Sequence, residues 1–208
     1  MNYLTKLFNI FQIIKYFKIV KNNKIQILSS LRNSKIVIEG NNNSLVIKKS
    51  NLKRLKVGIY GNNNALEIDK SCMLRDTNII MQGDNLKVII KNNCEIGGAT
   101  IVCAGEKSSI EIGEYCLIAS NIEIRNNDGH SIFENDKLIN PSSNIHISNN
   151  VWICQNAKIL KGVNIGSNSV IALNALVSSG KYENSVILAG IPAKIIKRNI
   201  SWSKELPN

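Results

Sequence analysis

Two histidines stand in this chain, His130 and His146. A neutral imidazole with a pKa of about 6.5 can take the proton from a hydroxyl as that oxygen attacks a carbonyl. His130 falls in a polar run, Arg-Asn-Asn-Asp-Gly-His-Ser-Ile-Phe-Glu-Asn-Asp-Lys-Leu-Ile-Asn-Pro-Ser-Ser-Asn, from Arg125 to Asn144. Asp128, two residues earlier, has two readings. It either orients the imidazole through its second nitrogen or forms the turn in Asn127-Asp128-Gly129. His146 precedes Ile147, and its plainer reading is an outward surface position, although it could line the same groove. Trp152 lies between two inward-series residues, Val151 and Ile153, and so faces outward. A flat exposed ring suits stacking on a sugar; burial under a neighbouring subunit is the alternative. Lys161, Lys181, Lys194, Lys197 and Arg198 gather in the C-terminal part, where phosphate charges would meet them.

The elements that must position these groups repeat. Ile147, Ile153, Ile159, Ile165, Ile171 and Val177 stand six residues apart without a miss. Beside them run Val151, Ala157, Val163, Ser169 and Ala175, all small or β-branched. Neither an α-helix nor a simple alternating strand has that period. A chain that turns a corner every six residues and points one aliphatic side chain inward per face does, which predicts an all-β parallel β-helix of hexapeptide repeats. Ile112, Ile118 and Ile124 start the ladder, and the run from 125 to 144 interrupts it. A long loop thrown out of a regular solenoid is usually functional.

The first half carries a longer phrase. Gly40-Asn41-Asn42-Asn43-Ser44-Leu45-Val46-Ile47 returns as Gly61-Asn62-Asn63-Asn64-Ala65-Leu66-Glu67-Ile68, and more loosely from Gly83 and Gly105. One period is one coil, with Gly and Asn at the corners because they tolerate positive φ. These coils exceed three strict hexapeptides by a few residues each. Cys72, Cys94 and Cys116 recur every 22 residues, which predicts a stacked column of small apolar side chains, one per coil.

Composition sets the remaining bounds. The chain has 208 residues, and aromatics make up only 5% of them, as expected of a core of stacked aliphatic columns. The net charge of +11 calls for an anionic partner such as an acidic polysaccharide, an acidic membrane surface or a phosphorylated cofactor. No zinc-finger spacing, helix-turn-helix pattern or aromatic-basic RNA signature is present, so nucleic acid is not expected. Five cysteines without a Cys-x-x-Cys pair, and no cleavable signal, suit a reducing cytoplasm. Two histidines and no tight carboxylate group predict no metal site. Residues 1–24 alternate Leu4, Leu7, Phe8, Phe11, Ile14 and Phe17 with lysines at helical spacing. An amphipathic helix there would cap the open solenoid end, lie on an anionic membrane surface, or both. The β-helix is expected over 25–200, with a short tail over 201–208.

The ladder, with Asn150-Val151-Trp152-Ile153, Ile159-Leu160-Lys161-Gly162-Val163 and Ala189-Gly190-Ile191-Pro192-Ala193-Lys194, resembles the hexapeptide-repeat acyltransferases. The irregular early coils followed by Asn127-Asp128-Gly129-His130 resemble more closely the bacterial capsular polysaccharide and sialic acid O-acetyltransferases. The resemblance implies a left-handed parallel β-helix, a homotrimer with its sites between neighbouring subunits, and acetyl-CoA as donor. It implies His130 as general base with Trp152 lining the catalytic site, while Asp128 is a candidate beside them. Trp152, Lys161, Ala175, Gly190, Pro192 and Lys194 are the expected cofactor contacts. The family commonly has glycine where this chain has Cys154, which puts the local cofactor contact in question more than the reaction.

The expectation is therefore transfer of acetyl from acetyl-CoA to a sugar hydroxyl of a surface polysaccharide, acidic or neutral. It would proceed directly in a ternary complex, because no nucleophilic Cys-His pair is evident. The location expected is cytoplasmic, with possible peripheral contact at the inner membrane face. Two competitors stand beside it. One is an N-acetyltransferase acting on an amino-sugar nucleotide; the other is a non-catalytic β-helix scaffold, which would have no need of a histidine-bearing loop.

Overall fold

A computed structural model describes residues 14–20 and 22–206. These residues form strands and turns, with no helix among them. The chain coils into a three-faced parallel β-solenoid. The first face stacks eight strands from Ile14–Ile19 to Leu176–Val177, and the second stacks eight from Lys24–Ile27 to Gly180–Tyr182. The third runs from Ser30–Arg32 to Ile187–Gly190 and is closed by Ala193–Lys197, which returns antiparallel.

The six-residue step is one face. Ile147 lies on the second, Ile153 on the third, Ile159 on the first, and the order then repeats through Ile165, Ile171 and Val177. Every residue of both series is buried. Each strand pairs in register with the strand one coil on, so inward residues form columns. On the first face one column is Ile36, Val57, Ile79, Ile101, Ile124, Ile159 and Val177. The third face stacks Leu31, Leu52, Leu74, Ile96, Ile118, Ile153, Ile171 and Leu188. Such columns are the core, and each coil is stabilised chiefly by its two neighbours. The surplus residues of the early coils go into the first face. Asn78–Asp84 and Ala99–Glu106 are seven and eight residues long, whereas Lys158–Ile159 is two.

The corners obey the same stacking. Gly61 has φ +124°, and a Cβ there would lie 2.1 Å from the Gly83 carbonyl oxygen. Only glycine meets both demands. Beside it a buried asparagine ladder climbs the corner. The Asn64 amide nitrogen donates to the Gly83 carbonyl at 2.8 Å, and its side-chain oxygen accepts the Leu86 N–H at 2.8 Å. Asn43 makes the same two bonds one coil below, to Gly61 and Asn64. The cysteine column forms as the spacing predicts. Cys72, Cys94 and Cys116 are buried, and each thiol lies against a backbone carbonyl of the adjacent coil, those of Lys91, Gly113 and Ser148.

The N-terminal helical cap does not extend into the described residues. Ile14–Ile19, inside the stretch expected to be helical, is a strand paired in parallel with Ser34–Glu39. Registry with a preformed sheet edge outweighs a helical pattern of apolar residues. Residues 1–13 lie outside the described residues, and the expectation for them goes with them.

Candidate active site

The loop begins where the first face ends. Ile122–Arg125 is the last regular strand before it, and Asn126 turns inward and is fully buried. Its side-chain oxygen accepts the Ala104 N–H at 2.7 Å, and its amide donates to the Ala104 carbonyl and to the Ser108 hydroxyl. The chain returns at the same corner, where the Ser143 N–H donates to the Asn126 carbonyl at 3.0 Å. Both loop ends are therefore tied to one buried residue. Between them Phe133–Glu134 and Lys137–Leu138 form a small antiparallel hairpin. Its apolar residues Ile132, Phe133, Leu138 and Ile139 are exposed.

Asn140 organises the part that carries His130. Its amide donates to the His130 carbonyl at 2.8 Å and to Asp128 Oδ2 at 3.0 Å, while its oxygen accepts the Ile132 N–H at 2.6 Å. Lys161, one coil farther on, donates to the same Asp128 oxygen at 2.5 Å. The Lys161 ammonium, with help from Asn140, holds the Asp128 carboxyl below the usual carboxylate range. Asp128 thus braces the loop rather than the imidazole. Among the described residues the His130 ring makes no hydrogen bond, and it is exposed. The ring is left open to an acceptor while its backbone is fixed.

Lys161 has also changed partner relative to expectation: it holds the loop, and so stands apart from Lys194 and Lys197, which remain exposed at the C-terminal end. Arg125, at the start of the loop, brings Nε within 3.0 Å of Glu123 Oε1, but the alignment is too poor for a hydrogen bond. His146 faces outward on the second face with Nδ1 3.6 Å from Glu111. Glu111 is already paired with Lys91, which holds its carboxyl low.

Trp152 is 37% exposed on the third face, in register between Leu117 and Val170. The tail doubles back over this face. Trp202 packs beside Trp152 with ring centroids 5.9 Å apart, and its indole N–H donates to the Asn150 carbonyl at 2.9 Å. Lys204 then pairs with Glu95. A cavity of about 320 Å³ lies under the tail, lined by Ser71, Asn93, Glu95, Tyr115, Trp202 and Lys204.

At the next corner, between the third and first faces, small residues stack as Gly97, Ala119, Cys154, Ala172 and Ala189 through successive backbone hydrogen bonds. Cys154 is half-buried, and burial raises its thiol. Gly190, Pro192 and Lys194 are exposed at the turn that closes the coil. Ala175, also among the expected cofactor contacts, does not face outward. It belongs to the inward series and is 1% exposed, so its side chain packs the core and reaches no ligand. Among the described residues no group of three or more His, Cys, Asp or Glu is placed to hold a metal.

His130 and Trp152 are not brought together within one chain. The loop leaves the corner between the first and second faces, and Trp152 lies on the third face, across the prism. Sequence reasoning missed Asn126, Asn140 and Trp202. Only Trp202 carried a signal, as a tryptophan in a short polar tail.

No family model matches the chain. It is 32% identical over 211 residues to a polysialic acid O-acetyltransferase of Neisseria meningitidis, covering 89% of this chain and 87% of the relative. Among solved structures it is similar to the polySia-specific acetyltransferase NeuO, with TM-score 0.82 and 32% identity over 93% of this chain and 84% of that one. It also resembles the polysialic acid O-acetyltransferase OatWY, with TM-score 0.61 and 28% identity over 93% and 92% of the two chains.

Proposed function

The chain belongs to the polysialic acid O-acetyltransferase family, and on that premise we propose that it moves the acetyl group of acetyl-CoA to a hydroxyl of a bacterial surface polysaccharide, with His130 as general base. The observation that carries this reading is the braced loop. Asn126, Asn140 and the Asp128–Lys161 pair fix its backbone and leave one imidazole open. A scaffold has no use for such an investment in a single exposed ring.

The chemistry follows from the groups available. The imidazole takes the proton of the sugar hydroxyl as its oxygen attacks the thioester carbonyl. The C–S bond then breaks, and the thiolate of CoA leaves with the proton from the imidazolium. In this reading the transfer is direct: the thiols of Cys72, Cys94, Cys103 and Cys116 lie against backbone carbonyls of the coils, and no cysteine among the described residues is bonded to a histidine that could activate it.

The shallow corner of Gly97, Ala119, Cys154, Ala172 and Ala189 suits an extended pantetheine arm, and exposed Lys194 and Lys197 at its end suit the nucleotide phosphates. Trp152 would flank the reacting end. Because His130 and Trp152 lie across the prism from one another, a complete site joins the loop of one subunit to the third face of the next. A homotrimer with three such sites is part of this reading, and the exposed apolar hairpin tip would dock on the neighbour. The left-handed sense of the coil and a cytoplasmic location, with the lysine-rich N-terminus at the inner membrane face, belong to it too. The net charge of +11 supports the membrane contact. Among the described residues no helix is long and apolar enough to cross a membrane.

The test is CoA release from acetyl-CoA with a panel of capsular polysaccharides and activated sugars, wild type beside His130→Ala. Acceptor-dependent release that falls by about 10²–10⁴-fold in the variant is expected. Release that survives the substitution would remove His130 as the base.

A further inference from the structure

One corner of the solenoid carries a side chain that its backbone does not favour. Between the second and third faces the chain turns through Ser71, Asn93, Tyr115, Asn150, Asn168 and Ser185, one residue per coil. From Asn93 onward, the N–H of each rung donates to the carbonyl that precedes the rung below, and all six residues have φ between 55° and 61°. Asparagine visits this left-handed region because its short side chain bonds locally, whereas a bulky residue there is an outlier. Tyr115 is the one aromatic residue with positive φ among the described residues. Burial does not offset the strain, because Tyr115 is 59% exposed. Residues held against their backbone preference cluster at ligand clamps and active sites.

A cavity adjoins the ring. Beyond the closing strand the tail runs back down this same corner. The Ile200 N–H donates to the Ser185 carbonyl at 3.0 Å, the Trp202 indole to the Asn150 carbonyl at 2.9 Å, and Lys204 pairs with Glu95. Tyr115 lies on the rung between the last two anchors, and no backbone hydrogen bond joins the tail to it. The space left there is the cavity of about 320 Å³, with Tyr115 and Trp202 among its walls. The side chains of Ser71, Asn93, Tyr115 and Ser203, which also line it, make no hydrogen bond among the described residues. Its two charged residues, Glu95 and Lys204, neutralise each other. Aromatic rings beside unpaired hydroxyl and amide groups, with no net charge, match a sugar ring, which has an apolar face and a polar edge. The place fits as well. Asn150 precedes Trp152 and Cys154 follows it, so the cavity and the small-residue corner of Gly97, Ala119 and Cys154 flank Trp152 from opposite sides.

We propose that Tyr115 and Trp202 hold one sugar ring of the acceptor glycan in this cavity, with Asn93 and Ser71 on its hydroxyls, on the side of Trp152 away from the donor groove. This rests on the acetyltransferase reading above and deepens it by giving the acceptor a subsite on this chain. The purine ring of CoA is the competing occupant, since it also stacks on aromatic faces. The phosphates of CoA count against it, because the cavity holds no unpaired cation to meet them.

The experiment uses the full chain carrying His130→Ala, so that binding is read without turnover, and adds Tyr115→Asn, Tyr115→Phe or Asn93→Ala. The probe is a three-sugar sialic acid oligomer, followed by ligand-observed NMR without acetyl-CoA. Tyr115→Asn should weaken binding several-fold, the scale of one stacking contact, and Tyr115→Phe should retain most of it. Asn93→Ala should weaken it too. Tyr115→Asn should melt no lower than its parent, because asparagine relieves the backbone strain. A ring kept only to hold the tail would instead make that variant melt lower with probe affinity unchanged. With His130 intact, Tyr115→Asn should raise the acceptor KM and leave the KM for acetyl-CoA unaltered. Unchanged probe affinity in Tyr115→Asn, or no binding by its parent, overturns the subsite. A raised KM for acetyl-CoA with the acceptor KM unaltered gives the cavity to the purine ring. Tyr115-dependent binding beside a wild type that acetylates no glycan would keep the subsite and defeat the catalytic reading.

Discussion

Trp202 rests against Trp152 at 40° between ring planes, and the two are the only tryptophans in the chain. The tail is held there by the indole bond to Asn150 and by Lys204 on Glu95, so it backs one flank of Trp152 and leaves the other open. A tilted aromatic pair of this kind is worth about 0.5–1.5 kcal/mol. Trp202→Ala should free the Trp152 ring and lower kcat/KM for acetyl-CoA about ten-fold. Because Trp152 is then the lone tryptophan, its emission should shift to the red. Unchanged kinetics with a red shift would mean that the tail covers the ring without positioning it.

The Lys161–Asp128 pair sets an acid limit on the loop. The folded carboxyl lies below its ordinary value, so its contribution is present at and above that ordinary value, about 3.9, and is lost as pH falls through the depressed folded value. Hydrogen exchange over 126–144, taken relative to the intrinsic amide rate at each pH, should stay slow from neutral pH down to about pH 4 and quicken below it. Lys161→Met should bring the fast regime to neutral pH, with a fall in kcat. Exchange in the variant no different from wild type would show that Asn126 and Asn140 hold the loop unaided.

Thiol chemistry separates the columns. Cys72, Cys94, Cys103 and Cys116 are buried, while Cys154 is half-buried at an outer corner. Burial lifts Cys103 to about 11, leaving almost no thiolate at neutral pH. Ellman titration of the native protein should find a single slow thiol, absent in Cys154→Ala, with all five reacting in denaturant. Rapid modification of a second thiol would mean that the column opens.

Stacking makes one glycine indispensable. Gly61→Ala would force a Cβ to within 2.1 Å of the Gly83 carbonyl oxygen at a φ of +124°. The corner must open, and the Asn43–Asn64 ladder beside it loses alignment. A loss on the order of 3 kcal/mol in urea unfolding is expected, at the severe end for a single substitution. By contrast, a Cβ added at Gly129 would meet nothing within 4 Å. Gly129→Ala should cost far less, limited to its left-handed φ.

The solenoid was legible because one physical rule generates it. An inward aliphatic residue every six positions is needed wherever a coil has three short faces, and Ile147 to Val177 obey it without exception. The cysteine column was legible for the same reason. Residues 14–19 were not: their apolar spacing fits a helix, and only the neighbouring strand edge at Ser34–Glu39 makes them a strand. In the site, His130 and Trp152 stood out by rarity and by position in the repeat. Asn140 did not, because an asparagine before a proline in a polar loop reads as a turn. Its three bonds depend on how the loop folds back on itself. Asp128 had the right distance in sequence to orient His130, yet Lys161 from the next coil claims it, a partner that only the stacking of coils could supply.

The placement of His130 and Trp152 across the prism leads to a test by mixing. If each site takes the loop of one subunit and the third face of the next, neither His130→Ala nor Trp152→Ala alone leaves an intact site. Co-expressed in equal amounts and assembled at random, the two variants would create intact pairs wherever a Trp152→Ala subunit lends its loop to the third face of a His130→Ala subunit. In a cyclic trimer each interface has about one chance in four of that order. Activity should therefore recover to about a quarter of wild type after co-expression. It should stay at the single-variant level when the separately purified proteins are mixed without subunit exchange. If both residues acted from the same chain, every subunit in the mixture would lack one of them and no activity would return. Recovery would thus fix the site between subunits, and its absence would overturn that arrangement.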